Sequence, residues 1–195
     1  MTTAGQRALE WYRLLAFPSR VWAIDVLKAF GDMTAEELAE EVPAGARRNM
    51  AKVHLPALQK AQLVESYADE HGVTRYRPTL GEPVDLDIDP DDEMLRRALM
   101  EFERVYTQRR IDRIRQWASE HWTKWSERWA RAATTADYFE QATPEDLERF
   151  GDRLAEAIDE LRAAGVKRKA RGEDTDVEPV FITVSCFPLR RSGEQ

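Results

Sequence analysis

"PSRVWAIDVLKAFGDMTAEELAEEV", residues 18–42, is the stretch that decides the fold. From Val21 onward apolar residues recur every three or four positions, which is the period of an amphipathic helix, and Gly31 ends that helix. Thr34 is followed three residues later by Glu37, a capping-box pattern that starts a second helix. The stretch therefore predicts two consecutive helices joined by a tight turn.

Residues 43–63, "PAGARRNMAKVHLPALQKAQL", predict a third helix that starts near Ala46. Its inward positions are Met50, Val53 or His54, and Leu58. Pro56 lies inside this helix and cannot donate a hydrogen bond to the Lys52 carbonyl, so we expect a kink or a shortened helix there.

Two short extended segments follow, "LVESYA" at 63–68 and "TRYRPT" at 74–79, on either side of the turn-forming group "DEHG". This pattern predicts a β-hairpin. A helix over residues 4–16 precedes the other elements. Helix, helix, turn, helix and hairpin within residues 1–80 make a winged helix-turn-helix arrangement.

The stretch "LLAFPSRVWAIDVLKAFGDMTAEELAEEV…MAKVHLPALQKAQLVESY…GVTRYRPT" resembles the ArsR-like winged-helix transcriptional regulators of bacteria, over about residues 8–80. The shared elements are Pro18 to Arg20, Thr34 to Ala39, His54 to Leu58, and the hairpin from Leu63 to Thr79. The resemblance implies a homodimer that binds double-stranded DNA. Gln62 stands where the family usually has glycine, at a position that favours a left-handed backbone.

The second half of the chain reads as a linker and an extension. Residues 81–93, "GEPVDLDIDPDDE", carry seven acids and no base and predict an acidic linker. Residues 94–195 predict a helical dimerisation and effector domain that includes a helix capped by Thr143 and one late β-strand, "PVFITVSCF". The predicted fold is thus mainly α (α+β), with a winged helix-turn-helix domain at 1–80 followed by this extension.

The distribution of charge favours DNA over other partners. The net charge is −7, yet residues 43–63 contain four bases and no acid. We expect Arg47, Arg48, Asn49 and Lys52, in the first two turns of the third helix, to read or position DNA, since arginine pairs with guanine and asparagine with adenine. The alternative for these residues is an ordinary solvated helix face.

His54, Arg75 and Arg77 are further candidates for DNA binding, each with a structural alternative. In the family that the chain resembles, the position of His54 is often half-buried. A structural role for His54 is therefore at least as well supported as a contact with a base or a phosphate. Arg75 and Arg77 alternate with Tyr76, so both share one face of the hairpin and can reach a phosphate or a minor groove. An ordinary solvent-facing strand explains them equally well.

Residues 116–132, "QWASEHWTKWSERWARA", hold four of the six tryptophans of the chain. On one helix, at about 100° per residue, the rings cover one broad face. The tentative ligand-binding set on this face is Trp117, His121, Trp122, Trp125 and Trp129. Core filling together with contact to a second subunit is the first interpretation, and a pocket for a small flat aromatic or apolar effector, or a cationic one, is the second.

Other function classes lack their motifs. The only cysteine, Cys186, and the three histidines are widely separated, so we expect no metal and no cofactor, and Cys186 as a small buried residue of the late strand rather than a redox sensor. No catalytic motif indicates an enzyme. No apolar run approaches the ~20 residues that span a bilayer and the start lacks a signal-peptide pattern, so we expect a cytoplasmic protein with no membrane contact.

Two functions remain open at this stage. The first is a homodimeric, sequence-specific transcriptional regulator that a small molecule bound in the extension can control. The second is a winged-helix interaction module that binds a protein partner or ligand without sequence-specific DNA binding.

Overall fold

A computed structural model describes residues 3–79, 92–173 and 175–189. The described chain is mainly helical and contains one two-stranded antiparallel sheet, which confirms the prediction of a mainly α (α+β) protein at that level. The chain divides into two compact units, Met1–His121 and Trp122–Gln195.

The described residues of the first unit form five α-helices, two strands and two shorter helical turns. They are α1 (Thr3–Leu15), α2 (Pro18–Phe30), α3 (Ala35–Glu41), a 3-10 turn (Ala44–Ala46), a π turn (Met50–His54), α4 (Leu55–Lys60), β1 (Val64–Ala68), β2 (Thr74–Pro78) and α5 (Glu93–Glu120). In the second unit the helices are α6 (Glu127–Ala132) and α7 (Pro144–Ala170).

The first two predicted helices of the 18–42 stretch are confirmed, with their caps. Pro18 lies in the first turn of α2, and Gly31 ends that helix with φ 87°. The Thr34 hydroxyl accepts a bond of 3.1 Å from the Glu37 N–H, and the Glu37 carboxylate accepts one of 2.8 Å from the Thr34 N–H. This reciprocal pair starts α3 at the expected residue.

The main core of the first unit lies between α2, α3, α4 and the sheet. Its fully buried side chains include Leu27, Leu38, Leu55, Leu58 and Val64. These residues come from four different elements, so the packing of the core fixes α4 and the hairpin against α2 and α3.

Helix α5 packs on α1 and α2 within the first compact unit. Leu95 of α5 is fully buried in a second cluster with Leu9 and Tyr12 of α1, and Phe102 lies 5.3 Å from the Tyr12 ring. The compact units therefore divide after His121 rather than at residue 93. Most of the predicted linker lies outside the described residues, while Asp92 caps α5 and Glu93 begins it.

The predicted third helix is not a single α-helix from Ala46, and this is a correction. The chain forms the 3-10 turn, breaks at Asn49 with φ 61°, and then runs through the π turn into α4. The His54 N–H bonds to the Asn49 carbonyl at 3.2 Å, five residues back, instead of four. Pro56 then lies in the first turn of α4, where its missing N–H leaves no helical bond unmade.

The β-hairpin is confirmed, with Tyr67 paired to Arg75 across the strands. Gln62 precedes it with φ 57°, the left-handed conformation expected at this position. Met33 and Tyr76 exchange two backbone bonds of 3.1 and 2.7 Å, so β2 is also joined to the loop that precedes α3.

Two predictions for the extension are wrong. Residues 177–189 are assigned neither helix nor strand, and Cys186 is exposed. A β-branched sequence forms a strand only where another strand pairs with it, and the described part of a single copy supplies none to this segment. Helix α5 ends at Glu120, and Ser126 caps the separate helix α6, so the tryptophans do not share one helix.

None of the described helices is both long enough and apolar enough to cross a membrane.

Candidate nucleic-acid interface

The residues expected to meet DNA lie on and just before the π turn and α4. Met50, Leu55 and Leu58 of this segment are buried, so its opposite side is the exposed one. We define the exposed face as Arg48, Asn49, Lys52 and Val53. Arg48 and Asn49 thus precede the helical segment rather than occupying its first two turns, and Lys52 lies within the π turn.

Arg47 does not belong to this exposed face, because its guanidinium is bonded to the end of α3. Its Nε donates to the Val42 carbonyl at 3.0 Å, and its Nη2 donates to the Glu40 carbonyl at 2.9 Å. Carbonyls at the end of a helix have no helical partner, so these two bonds satisfy groups that would otherwise need water. The structure thus gives Arg47 a positioning role between α3 and the π turn.

Arg48 and Lys52 are exposed, and neither forms an ion pair with any residue that the structure describes. Asn49, between them, is also exposed and adopts the left-handed conformation, which asparagine tolerates better than most residues. Two cations and one amide are therefore presented to solvent within five residues of chain.

Val53 lies on the exposed face, which decides between two alternatives that the sequence left open. The periodicity left the inward position open between Val53 and His54, and the structure leaves Val53 46% exposed while His54 is half-buried. The side chain of Val53 presents methyl groups on the exposed face, and apolar contact is how proteins recognise the thymine methyl group. The sequence signal for this change was Pro56, which predicted a kinked or shortened helix and so a departure from regular helical periodicity around Val53.

His54 has the features of a structural residue. Burial lowers its pKa and the charge of Arg20 lowers it further, while a backbone contact with Arg48 opposes them. Its Nδ1 is buried without a hydrogen-bond partner among the described residues. A neutral, half-buried imidazole offers little to a phosphate.

The hairpin arginines are both held in ion pairs. Arg75 contacts Asp69 at 3.0 Å and Glu37 at 3.4 Å, and the bond to Asp69 followed by the charge of Glu37 raises its pKa. Arg77 contacts Glu65 at 2.6 Å, and this bond raises the pKa of Arg77. Each cation must therefore leave a carboxylate before it can bind a phosphate.

A shallow acidic groove lies between α3 and the hairpin. Its lining contains four carboxylates and one guanidinium, together with Met33: the charged residues are Asp32, Glu37, Glu40, Glu41 and Arg75. The Tyr67 hydroxyl donates to Asp32 at 2.7 Å, and this bond raises the pKa of Tyr67. The groove would repel a phosphate backbone, so any DNA contact is confined to the side of the exposed face.

The five residues of the tentative ligand site are divided between the two compact units. Trp117 and His121 belong to the first unit, where their rings stack at 5.4 Å. In the second unit Trp125 and Trp129 meet edge to face at 6.3 Å, and the Trp129 indole donates to Asp176 at 3.0 Å. Trp122 is 77% exposed.

Among the described residues, no group of three or more His, Cys, Asp or Glu side chains is arranged to hold a metal ion.

Comparison with known proteins adds no further constraint: no family model, no curated protein and no solved structure matches this chain.

Proposed function

We propose that the chain is a sequence-specific DNA-binding transcriptional regulator of the winged helix-turn-helix, ArsR-like kind, which acts as a cytoplasmic homodimer. The observation that carries the proposal is the exposed face, where Arg48 and Lys52, beside Asn49 and Val53, form no ion pair with the described residues. The hairpin arginines are held by carboxylates, whereas Arg48 and Lys52 lie close together in the chain without an ion pair among the described residues, so their charge is available to a phosphate.

Each residue of the exposed face suits a different part of a duplex. Lys52 is a point charge suited to a phosphate, and Arg48 can form paired bonds with a guanine edge. Asn49 suits an adenine edge, and the Val53 methyl groups suit a thymine methyl. A helix that enters the major groove brings such side chains to the base edges, and two copies would place two of them about 34 Å apart.

The second unit completes the proposal as the part that joins the copies. A small aromatic or apolar effector bound near its tryptophans would then change the spacing of the two heads and so the affinity for DNA.

The test is selection of duplexes from a random pool by the purified chain, followed by binding measurements over a salt series. We expect enriched sites with two-fold symmetry, bound at least about a thousandfold more tightly than random DNA. Arg48→Ala should weaken specific binding by about tenfold or more, and Lys52→Ala should weaken binding to all sequences and lower the salt slope by about one. Lys28→Ala, an exposed lysine on α2, is the matched control. Equal, weak binding to every sequence would overturn the proposal.

The acidic groove supports a second candidate, an interaction module that binds a basic protein segment or a ligand. It predicts no enriched duplex and no effect of Arg48→Ala or Lys52→Ala. Binding of a basic peptide that Glu40→Lys with Glu41→Lys abolishes would favour it over DNA recognition.

A further inference from the structure

The described part of the second unit has no buried core in one copy of the chain. Among the described residues from 122 onward none is buried, and several large apolar side chains are more than one third exposed. A helix with an apolar stripe is stable only when that stripe is covered. The contacts that bury these apolar side chains must therefore come from outside the described part of the second unit.

Helix α7 carries an apolar stripe that one copy leaves partly uncovered, with Leu154 and Ile158 half-buried at its centre. Leu147, Phe150, Leu154, Ile158 and Leu161 recur at intervals of three or four residues and lie along one side of the helix. Leu147, Phe150 and Leu161 are 37%, 50% and 49% exposed. The helix has 27 residues, a length of about 40 Å, which suits a long helix-to-helix contact rather than a small pocket.

The charge pattern of α7 indicates which partner fits. Residues 144–160 carry seven acids and two arginines, whereas residues 161–171 carry five bases and no acid. Two such helices laid antiparallel place the acidic part of each beside the basic end of the other. A parallel pair would place like charges together, so self-association favours the antiparallel arrangement.

Arg168 links the charge pattern to the stripe. A Cβ added at Gly165, which continues the stripe, would lie 3.9 Å from Arg168 Nη2, so the guanidinium lies beside the apolar side of the helix. Lys167 is exposed and, at about 100° per residue, lies on the far side.

We propose that α7 pairs antiparallel with α7 of a second copy of this chain, with the two-fold axis near Ala157, and that this pair supplies the core that the second unit lacks. The inference deepens the homodimer of the proposed function, and it stands or falls separately from DNA binding.

The first experiment compares two adjacent charge reversals in the full chain. Sedimentation of the wild type over a concentration series should give a dimer. Arg168→Glu should raise the dimer dissociation constant by about tenfold or more, because two-fold symmetry introduces the change twice, whereas Lys167→Glu should change it by less than about threefold. Leu161→Glu should give a monomer whose first unit keeps its circular dichroism and thermal transition.

The second experiment measures orientation. In a Cys186→Ser background, the double variant Phe150→Cys with Gly165→Cys should form a covalent dimer with a short bis-maleimide. Phe150→Cys alone should not, because in the antiparallel pair its two copies lie about 22 Å apart. Efficient cross-linking by Phe150→Cys alone would show a parallel pair and overturn the proposal.

A monomeric wild type, or a dimer that Arg168→Glu and Leu161→Glu leave intact, would also overturn it. Neither result decides whether the first unit recognises DNA, because the duplex selection tests that separately. Conversely, a dimer that enriches no duplex would preserve α7 pairing and remove the proposed function.

Discussion

Replacing Arg109 by leucine removes the cation from a largely buried ion pair between α5 and α2. Arg109 Nη1 lies 2.7 and 2.9 Å from the two carboxylate oxygens of Asp25, and the two side chains are 9% and 19% exposed. The Arg109 guanidinium also lies 4.2 Å from the centre of the Tyr106 ring. The variant therefore leaves the Asp25 carboxylate largely buried without its arginine partner.

Loss of one partner of a buried ion pair costs about 3–5 kcal/mol. Because Asp25 keeps some contact with solvent, we expect the lower end, about 3 kcal/mol, for Arg109→Leu. The double variant Asp25→Asn with Arg109→Leu should recover most of this loss, since it leaves no unpaired charge.

The penalty should depend on pH. Burial raises the pKa of Asp25, and the charges of Arg109, Arg113 and Lys28 oppose this without cancelling it. Removing Arg109 raises that pKa further. The folded state then binds the proton more tightly than the unfolded state, so stability falls as the pH rises from about 3.9, the ordinary aspartate value, through the folded pKa. Arg109→Leu should be more harmful at pH 7 than at pH 4.5.

Urea unfolding measures both effects, with circular dichroism and the fluorescence of the buried Trp22 as probes. Arg97→Leu, on the exposed side of the same helix, is the control and should change stability by less than about 0.5 kcal/mol. A loss below about 1 kcal/mol for Arg109→Leu, or the same loss at both pH values, would refute the reasoning.

Three further predictions concern the segments that position the exposed face, each checked by urea unfolding of the full chain. Arg47→Ala should lower the free energy of unfolding by about 1–2 kcal/mol, because two carbonyls at the end of α3 lose their hydrogen-bond donor. Arg48→Ala is the control and should leave this free energy almost unchanged. Equal losses for the two variants would contradict the role given to Arg47. Thr34→Ala should cost about 1 kcal/mol because it removes the cap of α3, and an unchanged midpoint would count against that cap. Gln62→Gly should raise the free energy of unfolding by up to about 1 kcal/mol, because glycine adopts the left-handed conformation without strain. A loss of stability would show that the Gln62 side chain stabilises the fold by more than its backbone conformation costs.

The elements that the sequence predicted correctly are those with local determinants. Thr34 and Glu37 define the start of α3 through their own side chains, and Gly31 ends α2 through its own backbone. The left-handed position of Gln62 was implied by the resemblance, because the family usually has glycine there. Such features require no knowledge of distant residues.

The wrong predictions concern segments whose structure is determined by contacts with residues distant in the sequence or by competing local hydrogen bonds. The indole period suggested one helix through Trp117 to Trp129, but Ser126 accepts a bond from the Trp129 N–H and starts a new helix. The late strand had suitable residues but no strand to pair with in the described part of one copy. Arg109 continues the buried stripe of Leu95, Ala98 and Val105, so a charged residue in an apolar period was the available sign of the buried pair.

The candidate site was predictable by composition but not by geometry. Four bases without an acid marked residues 43–63, yet which of them is free depends on the carbonyls of α3 and on the turn around Asn49. Helical periodicity cannot reveal either, since it assumes an unbroken helix.

The π turn also sets how this chain can change in length. Met50 and Leu55 are both buried although they stand five residues apart, a spacing that would point them about 140° apart on an α-helix. The turn accommodates one residue more than an α-helical turn would. Deleting one residue between these anchors would therefore restore ordinary helical pitch and keep both anchors inward. Such a deletion would present a different set of side chains to solvent while both anchors stay in the core.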